Sequence, residues 1–240
     1  MLSELPPLWS SGWLRHARPT RSPNFGPRPA NTAVTLVVIH SISLPPGEYG
    51  GPEIEQLFTN QLDWDAHPYF DQIRGAEVSS HFVIRRDGEL LQFVSVDERA
   101  WHAGRSTWQG RENCNDYSVG IELEGLEDHP FEEAQYTCLT ALLHTLAQQY
   151  PISQVAGHEH IAPGRKKDPG SAFDWRSLQL LTSWSDDVFP WAQTQDWELL
   201  IQGKNAFVDV NHVVAHGHPT PPASTQNTTC SGCRRRKHHI

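Results

Sequence analysis

Apolar residues fall into a few patterned blocks separated by Pro- and Gly-rich stretches, and each block predicts one element. Residues 33–39, AVTLVVI, are β-branched and nearly all apolar, which fits a strand buried on both faces with His40 at its end. The residues before it carry several prolines and no apolar period, so they are expected to wrap the surface. Ile54, Leu57 and Phe58 share one face of a short helix expected over 52–60, and the polar stretch 62–70 reads as loop. Residues 80–86 and 89–94 alternate around Asp87 and Gly88, a dipeptide suited to a tight type I′ hairpin turn. Trp101, His102, Ala103 and Gly104 then fall in a loop, where an aromatic beside a histidine either lines a groove or plugs the core.

Residues 118–124, SVGIELE, read as a further strand. The longest helix is expected over 132–150, with Tyr136, Leu139, Leu142, Leu143 and Leu146 as its apolar stripe and Pro151 as its stop. A short strand over 153–156 and a helix over 174–184, with Trp175, Leu178 and Leu181 inward, complete the pattern. Strands alternating with helices predict an α/β domain over residues 1–187, a mixed β-sheet flanked by helices. Residues 188–240 form a C-terminal extension that turns polar, Pro/Ser/Thr-rich and finally basic, and its end is expected to be disordered alone. Cys230 and Cys233 there make a lone CxxC, half of a zinc-knuckle spacing.

Composition narrows the function classes. The 240 residues suffice for a sizeable core, and a net charge of −9 argues against a phosphate-binding surface as the main purpose, so no nucleic-acid partner is expected. The four adjacent basic residues 234–237 read as solvated. The start has no basic stretch followed by an apolar run, and no span of about 20 apolar residues could cross a bilayer, so neither export nor a membrane partner is expected. With that, the four cysteines read as reduced thiols and the location as cytoplasmic.

Candidate chemistry concentrates in residues 157–175, GHEHIAPGRKKDPGSAFDW. Pro163, Pro169, Gly164 and Gly170 make a regular helix over 162–170 improbable, and Pro169 pushes Asp168 toward an extended conformation. Zinc favours the His nitrogen and Asp oxygen donors this loop supplies, leaving His158, His160, Asp168 and Asp174 as rivals. His40, at the end of the first core strand, converges on His158 if the two preceding strands are sheet neighbours. Glu122 and Glu124 lie two residues apart on one strand face, either a solvated pair or a source of one general base. Arg165, Lys166 and Lys167 remain unranked.

The segments LVVIHSISLPPGEYGG, SSHFVIRRDGELLQFV, RAWHAG, GRENCNDYSVGIELEG and GHEHIAPGRKKDPGSAFDW together resemble the AmpD-type 1,6-anhydro-N-acetylmuramoyl-L-alanine amidases over roughly residues 12–182. This is the zinc amidase group related to phage amidases and peptidoglycan-recognition proteins. The resemblance implies that fold, with a cleft over one sheet face and one zinc ion held by His40, His158 and Asp168. It further implies Glu122 as catalytic carboxylate, Lys166 as the cation beside the reacting carbonyl, and Tyr69 and Trp101 in the substrate groove. The implied reaction is hydrolysis of the lactyl–L-alanine amide of small muropeptides during peptidoglycan recycling. Ser41 stands where close relatives carry asparagine, and Glu77 and Asn113 where they carry arginines that hold sugar or peptide groups. The rival readings are a non-catalytic muropeptide sensor on the same fold and an amidase acting on intact peptidoglycan; the oligomeric state is not legible.

Overall fold

The structure, a computed structural model, describes residues 8–190. The expectations for the extension from residue 191 onward, including Cys230 and Cys233, lie outside the described residues. Six strands form the central sheet: β1 (Arg18–Pro19), β2 (Leu36–Ile42), β3 (Phe82–Ile84), β4 (Leu90–Gln92), β5 (Ser118–Glu124) and β6 (Gln154–Gly157), in the order β6-β2-β5-β3-β4-β1. Strands β6, β2, β5 and β3 are parallel, β4 is antiparallel to β3, and β1 is parallel to β4. The sheet is therefore mixed, and β6 and β2 are neighbours, the arrangement that lets two histidines converge.

The two sheet faces carry different cores. Val37 and Ile39 of β2, with Val119, Ile121 and Leu123 of β5, face Leu139, Leu142, Leu143 and Leu146 of helix α2 (Glu133–Gln149). Trp175 and Leu178 of a shorter helix, α4 (Trp175–Thr182), join the same cluster. Gln135 fastens α2 to the sheet: its Oε1 accepts from the Glu132 N–H (3.0 Å), while its Nε2 donates to the carbonyls of Ile84 (3.2 Å) and Glu124 (3.1 Å). On the opposite face Leu36, Val38 and Ala156 pack against Ala103, Trp108, Cys114, Tyr117 and Ile161. Helix α1 (Glu53–Phe58) lies in a third cluster with Val83, Leu91 and Phe93, through its buried Ile54, Leu57 and Phe58.

Several expectations are corrected. The N-terminal segment contains strands: Trp9–Ser10 pairs with Trp13–Leu14, Phe25–Pro27 pairs with Glu98–Ala100, and β1 extends the main sheet. It is also tied inward, because the Arg28 guanidinium donates to the carbonyls of Val96, Asn115, Asp116 and Ser118 at 2.8–3.1 Å. His40 does not end its strand, which runs on to Ile42. The β3–β4 turn is a three-residue loop between Arg85 and Glu89, whose N–H and C=O pair at 2.9 Å, and Gly88 (φ 88°) takes the left-handed position. Asp87 stays right-handed because its Oδ1 accepts from the Glu89 N–H (2.9 Å). In α4 the inward stripe is Trp175, Leu178 and Thr182, so Leu181 falls beyond its edge and is 53% exposed.

Candidate active site

The site sits at the carboxyl ends of the parallel strands, where side chains leave the sheet edge and backbone groups are free to bind. His40 on β2 is the direct register partner of Glu122 on β5, so both side chains leave the same sheet face side by side. On the other side of β2, Gly157 of β6 pairs with Ile39, and the chain turns there into the short helix α3 (His158–Ile161), whose first residue is His158. The loop after α3 returns Asp168 to the same point. His40 Nδ1, His158 Nδ1 and Asp168 Oδ2 form a triangle with every side 3.0 Å, and all three residues are buried.

The protons on these groups decide what the triangle is for. His158 Nε2 lies 3.1 Å from the Ala103 carbonyl oxygen, which can only accept, so the ring hydrogen sits there and the lone pair of Nδ1 faces the triangle. Burial first, and His158 next, push the His40 pKa down to about 4, so its imidazole is neutral near pH 7. A carboxylate oxygen facing such donors repels them unless a cation lies between. A tetrahedral ion with ligands at about 2.0–2.2 Å holds its donors roughly 3.3 Å apart, close to the separations here. Among the described residues, His40, His158 and Asp168 form the one His/Cys/Asp/Glu cluster with metal-binding spacing, and two nitrogens plus one oxygen suit zinc and leave an open position.

The two glutamates of β5 part company. Glu124 is wholly engaged: its Oε1 accepts from Arg85 (2.8 Å) and the Gly50 N–H (2.7 Å), and its Oε2 accepts from the Arg86 N–H (3.2 Å). Glu122 is also buried, yet its Oε2 has no hydrogen-bond partner. Burial, and then the neighbouring Asp168, raise the Glu122 pKa well above the ordinary carboxylate range, with Lys166 working against them. A carboxylate held at the metal triangle with an idle oxygen is available for proton transfer; one locked to an arginine is not.

These groups open onto a cleft of about 350 Å³ whose walls include Ser41, Ser43, Tyr69, Trp101, Glu122 and Lys166. Lys166 therefore faces the cleft and the charge of Glu122, whereas Lys167 is not among the lining residues. Tyr69 and Trp101, both half-buried, line the same space. Of the three positions that the resemblance marks as departures, Ser41 is on the wall, while Glu77 and Asn113 are exposed and off it. The rival donors have other employment: His160 Nδ1 accepts from the Gly157 N–H (2.9 Å), and Asp174 Oδ1 caps α4 by accepting from the Ser177 N–H (2.8 Å). His102, which the sequence pattern does not single out, lies against His40 with Nδ1 3.0 Å from His40 Nε2. Its 62-residue separation from His40 offers no periodic signal that could have found it.

Comparison with known proteins shows the family. The family model described as N-acetylmuramoyl-L-alanine amidase matches residues 30–171. The 1,6-anhydro-N-acetylmuramyl-L-alanine amidase AmpD of Enterobacter cloacae is 50% identical over 182 residues, which are 75% of this chain and 97% of that protein. Its namesake from Escherichia coli strain K12 is 51% identical over 178 residues, 73% of this chain and 97% of that one. A crystal structure of a selenomethionine AmpD derivative superposes with a TM-score of 0.71 at 51% identity, covering 72% of this chain and 98% of that one. An endolysin amidase, LysCS of Clostridium intestinale, shares the fold at a TM-score of 0.53 and 17% identity, over 72% of this chain and 99% of its own. The chain belongs to the N-acetylmuramoyl-L-alanine amidase family.

Proposed function

We propose that this amidase hydrolyses the amide between the lactyl group of 1,6-anhydro-N-acetylmuramic acid and L-alanine in small muropeptides, as a cytoplasmic zinc enzyme of peptidoglycan recycling. The observation that carries the reading is the buried His40–His158–Asp168 triangle beside Glu122, in a cleft of about 350 Å³. The names of the AmpD relatives supply the sugar and the bond. Among the described residues no helix is long and apolar enough to cross a membrane.

His40 Nδ1, His158 Nδ1 and Asp168 Oδ2 would hold the zinc, which when bound supplies Lewis acidity and lowers the pKa of a coordinated water toward about 7. Glu122 would take a proton from the water that attacks the amide carbonyl and deliver it to the departing L-alanyl nitrogen as the C–N bond breaks. The Lys166 ammonium, in the same cleft, stabilises the charge that develops on the carbonyl oxygen. Tyr69 and Trp101 provide apolar wall against which sugar or peptide can lie. Incubation with an anhydro-muropeptide tests the assignment: released L-alanyl peptide, abolished by a chelator and restored by zinc, is expected. Intact substrate after long incubation with zinc identifies a sensor instead, and faster turnover of whole sacculi identifies an enzyme of intact peptidoglycan.

A further inference from the structure

Both histidines of the triangle point their second ring nitrogen at adjacent residues of one short segment. His40 Nε2 meets His102 Nδ1 at 3.0 Å, and His158 Nε2 meets the Ala103 carbonyl at 3.1 Å. The segment is pinned from behind, since Asn115 Oδ1 accepts from the backbone N–H groups of both His102 (3.1 Å) and Ala103 (2.8 Å).

The direction of the hydrogen bonds through His102 follows from the far end of the chain of contacts. The Ser118 hydroxyl lies 2.6 Å from the Cys114 carbonyl oxygen, which accepts its hydrogen. Ser118 Oγ, 3.1 Å from His102 Nε2, must then accept from the ring. A neutral His102 with its hydrogen on Nε2 has a lone pair on Nδ1, which accepts the Nε2 hydrogen of His40. His40 is left with its lone pair on Nδ1, the atom of the triangle. Each donor in the series is determined by the one before it, starting from a carbonyl that has no choice.

The sheet leaves room for this ring at one position. A Cβ on Gly120, the β5 residue between Ser118 and Glu122, would meet His102 Cγ at 2.4 Å. The ring base cannot yield as a flexible chain end would, so glycine at 120 and histidine at 102 fit as a pair.

We propose that His102, fixed by Ser118 and seated on Gly120, is the positioning residue that sets the tautomer of His40 and aims its Nδ1 at the metal, with the Ala103 carbonyl doing the same for His158. The inference rests on the metal reading of the triangle. Outer partners of metal-bound histidines typically contribute about 10-fold to 100-fold to metal affinity. Asparagine at 102 presents an acceptor oxygen near the place of the imidazole Nδ1, whereas leucine presents none.

The test is zinc affinity, measured by competition with a chromophoric chelator, on the wild type, His102→Leu, His102→Asn and Gly120→Ala. Thermal unfolding of the metal-free proteins reports their folding. His102→Leu and Gly120→Ala are expected to bind zinc roughly 10-fold to 100-fold more weakly, with His102→Asn recovering most of that loss. Long-range ¹H–¹⁵N correlation spectra of the zinc-loaded wild type, which need no variant to fold, should show His40 and His102 both protonated at Nε2. Wild-type affinity in folded His102→Leu, or a hydrogen on His102 Nδ1, overturns the inference while leaving the metal reading standing. A wild type that takes up no zinc overturns the reading beneath it.

Discussion

Removing each glutamate of β5 in turn should separate chemistry from scaffold. Glu124 and Arg85 form a buried ion pair, with side chains 2% and 8% exposed, and Glu124 also accepts from the Gly50 and Arg86 N–H groups. Glu124→Ala strands the guanidinium, with Glu55 at 3.1 Å as its remaining carboxylate, and leaves two backbone donors without their acceptor. Breaking a buried pair by deleting one partner costs about 3–5 kcal/mol, because the surviving charge keeps its desolvation penalty. For a domain of this size each kcal/mol moves Tm by about 2–4 °C, so a fall of roughly 6–20 °C is expected. Glu122 has no such partner, and Glu122→Gln keeps its volume, so its Tm should not fall. Loss of a general base typically costs about 100-fold to 10,000-fold in rate. Circular dichroism melts and anhydro-muropeptide turnover, measured on both variants well below their melting points, give the two readouts. The expected pattern is Glu124→Ala unstable but active per folded molecule, and Glu122→Gln stable but inactive. A stable, inactive Glu124→Ala beside an active Glu122→Gln would reverse the two roles.

Lys166→Ala should lower kcat by about 100-fold to 1,000-fold, as loss of one oxyanion stabiliser does, and Lys167→Ala should leave it near wild type; the reverse ranking removes Lys166 from the mechanism. In the metal-free protein the Glu122 pKa is raised above its ordinary 4.5, so the native state holds a proton that the unfolded chain releases. The native state is therefore penalised progressively as pH rises from about 4.5 toward the folded pKa, by about 1.4 kcal/mol per unit of displacement. Glu122→Gln should accordingly raise the Tm of metal-free protein at pH 7 but not at pH 4, and a gain confined to pH 4 contradicts the assigned burial.

Sequence legibility followed the distance over which each determinant acts. The β5 strand and the long helix α2 carry their own periodicity, and both lie where the pattern puts them. The convergence of His40 and His158 was conditional on strand adjacency, which the parallel pairing of β2 and β6 supplies. The residue pattern alone does not choose between Glu122 and Glu124, because the choice depends on Arg85, 39 residues from Glu124 and just past the neighbouring strand β3. The interior grip of Arg28 was equally hidden, since its targets are carbonyls 68 to 90 residues away in a segment that reads as surface wrapping. At Asp87 and Gly88 the contact between Asp87 Oδ1 and the Glu89 N–H outweighs the dipeptide's preference for a type I′ turn. His102 is the clearest case, since in one dimension it is only a histidine beside a tryptophan.

Metal content and turnover, measured on one preparation, test whether His40, His158 and Asp168 make this a zinc-dependent amidase. The prediction is one zinc per chain, with L-alanyl peptide released from anhydro-muropeptide in proportion to bound metal, and both lost together in Asp168→Ala. Full turnover after complete removal of metal, or stoichiometric zinc with no turnover of anhydro-muropeptide, would contradict it.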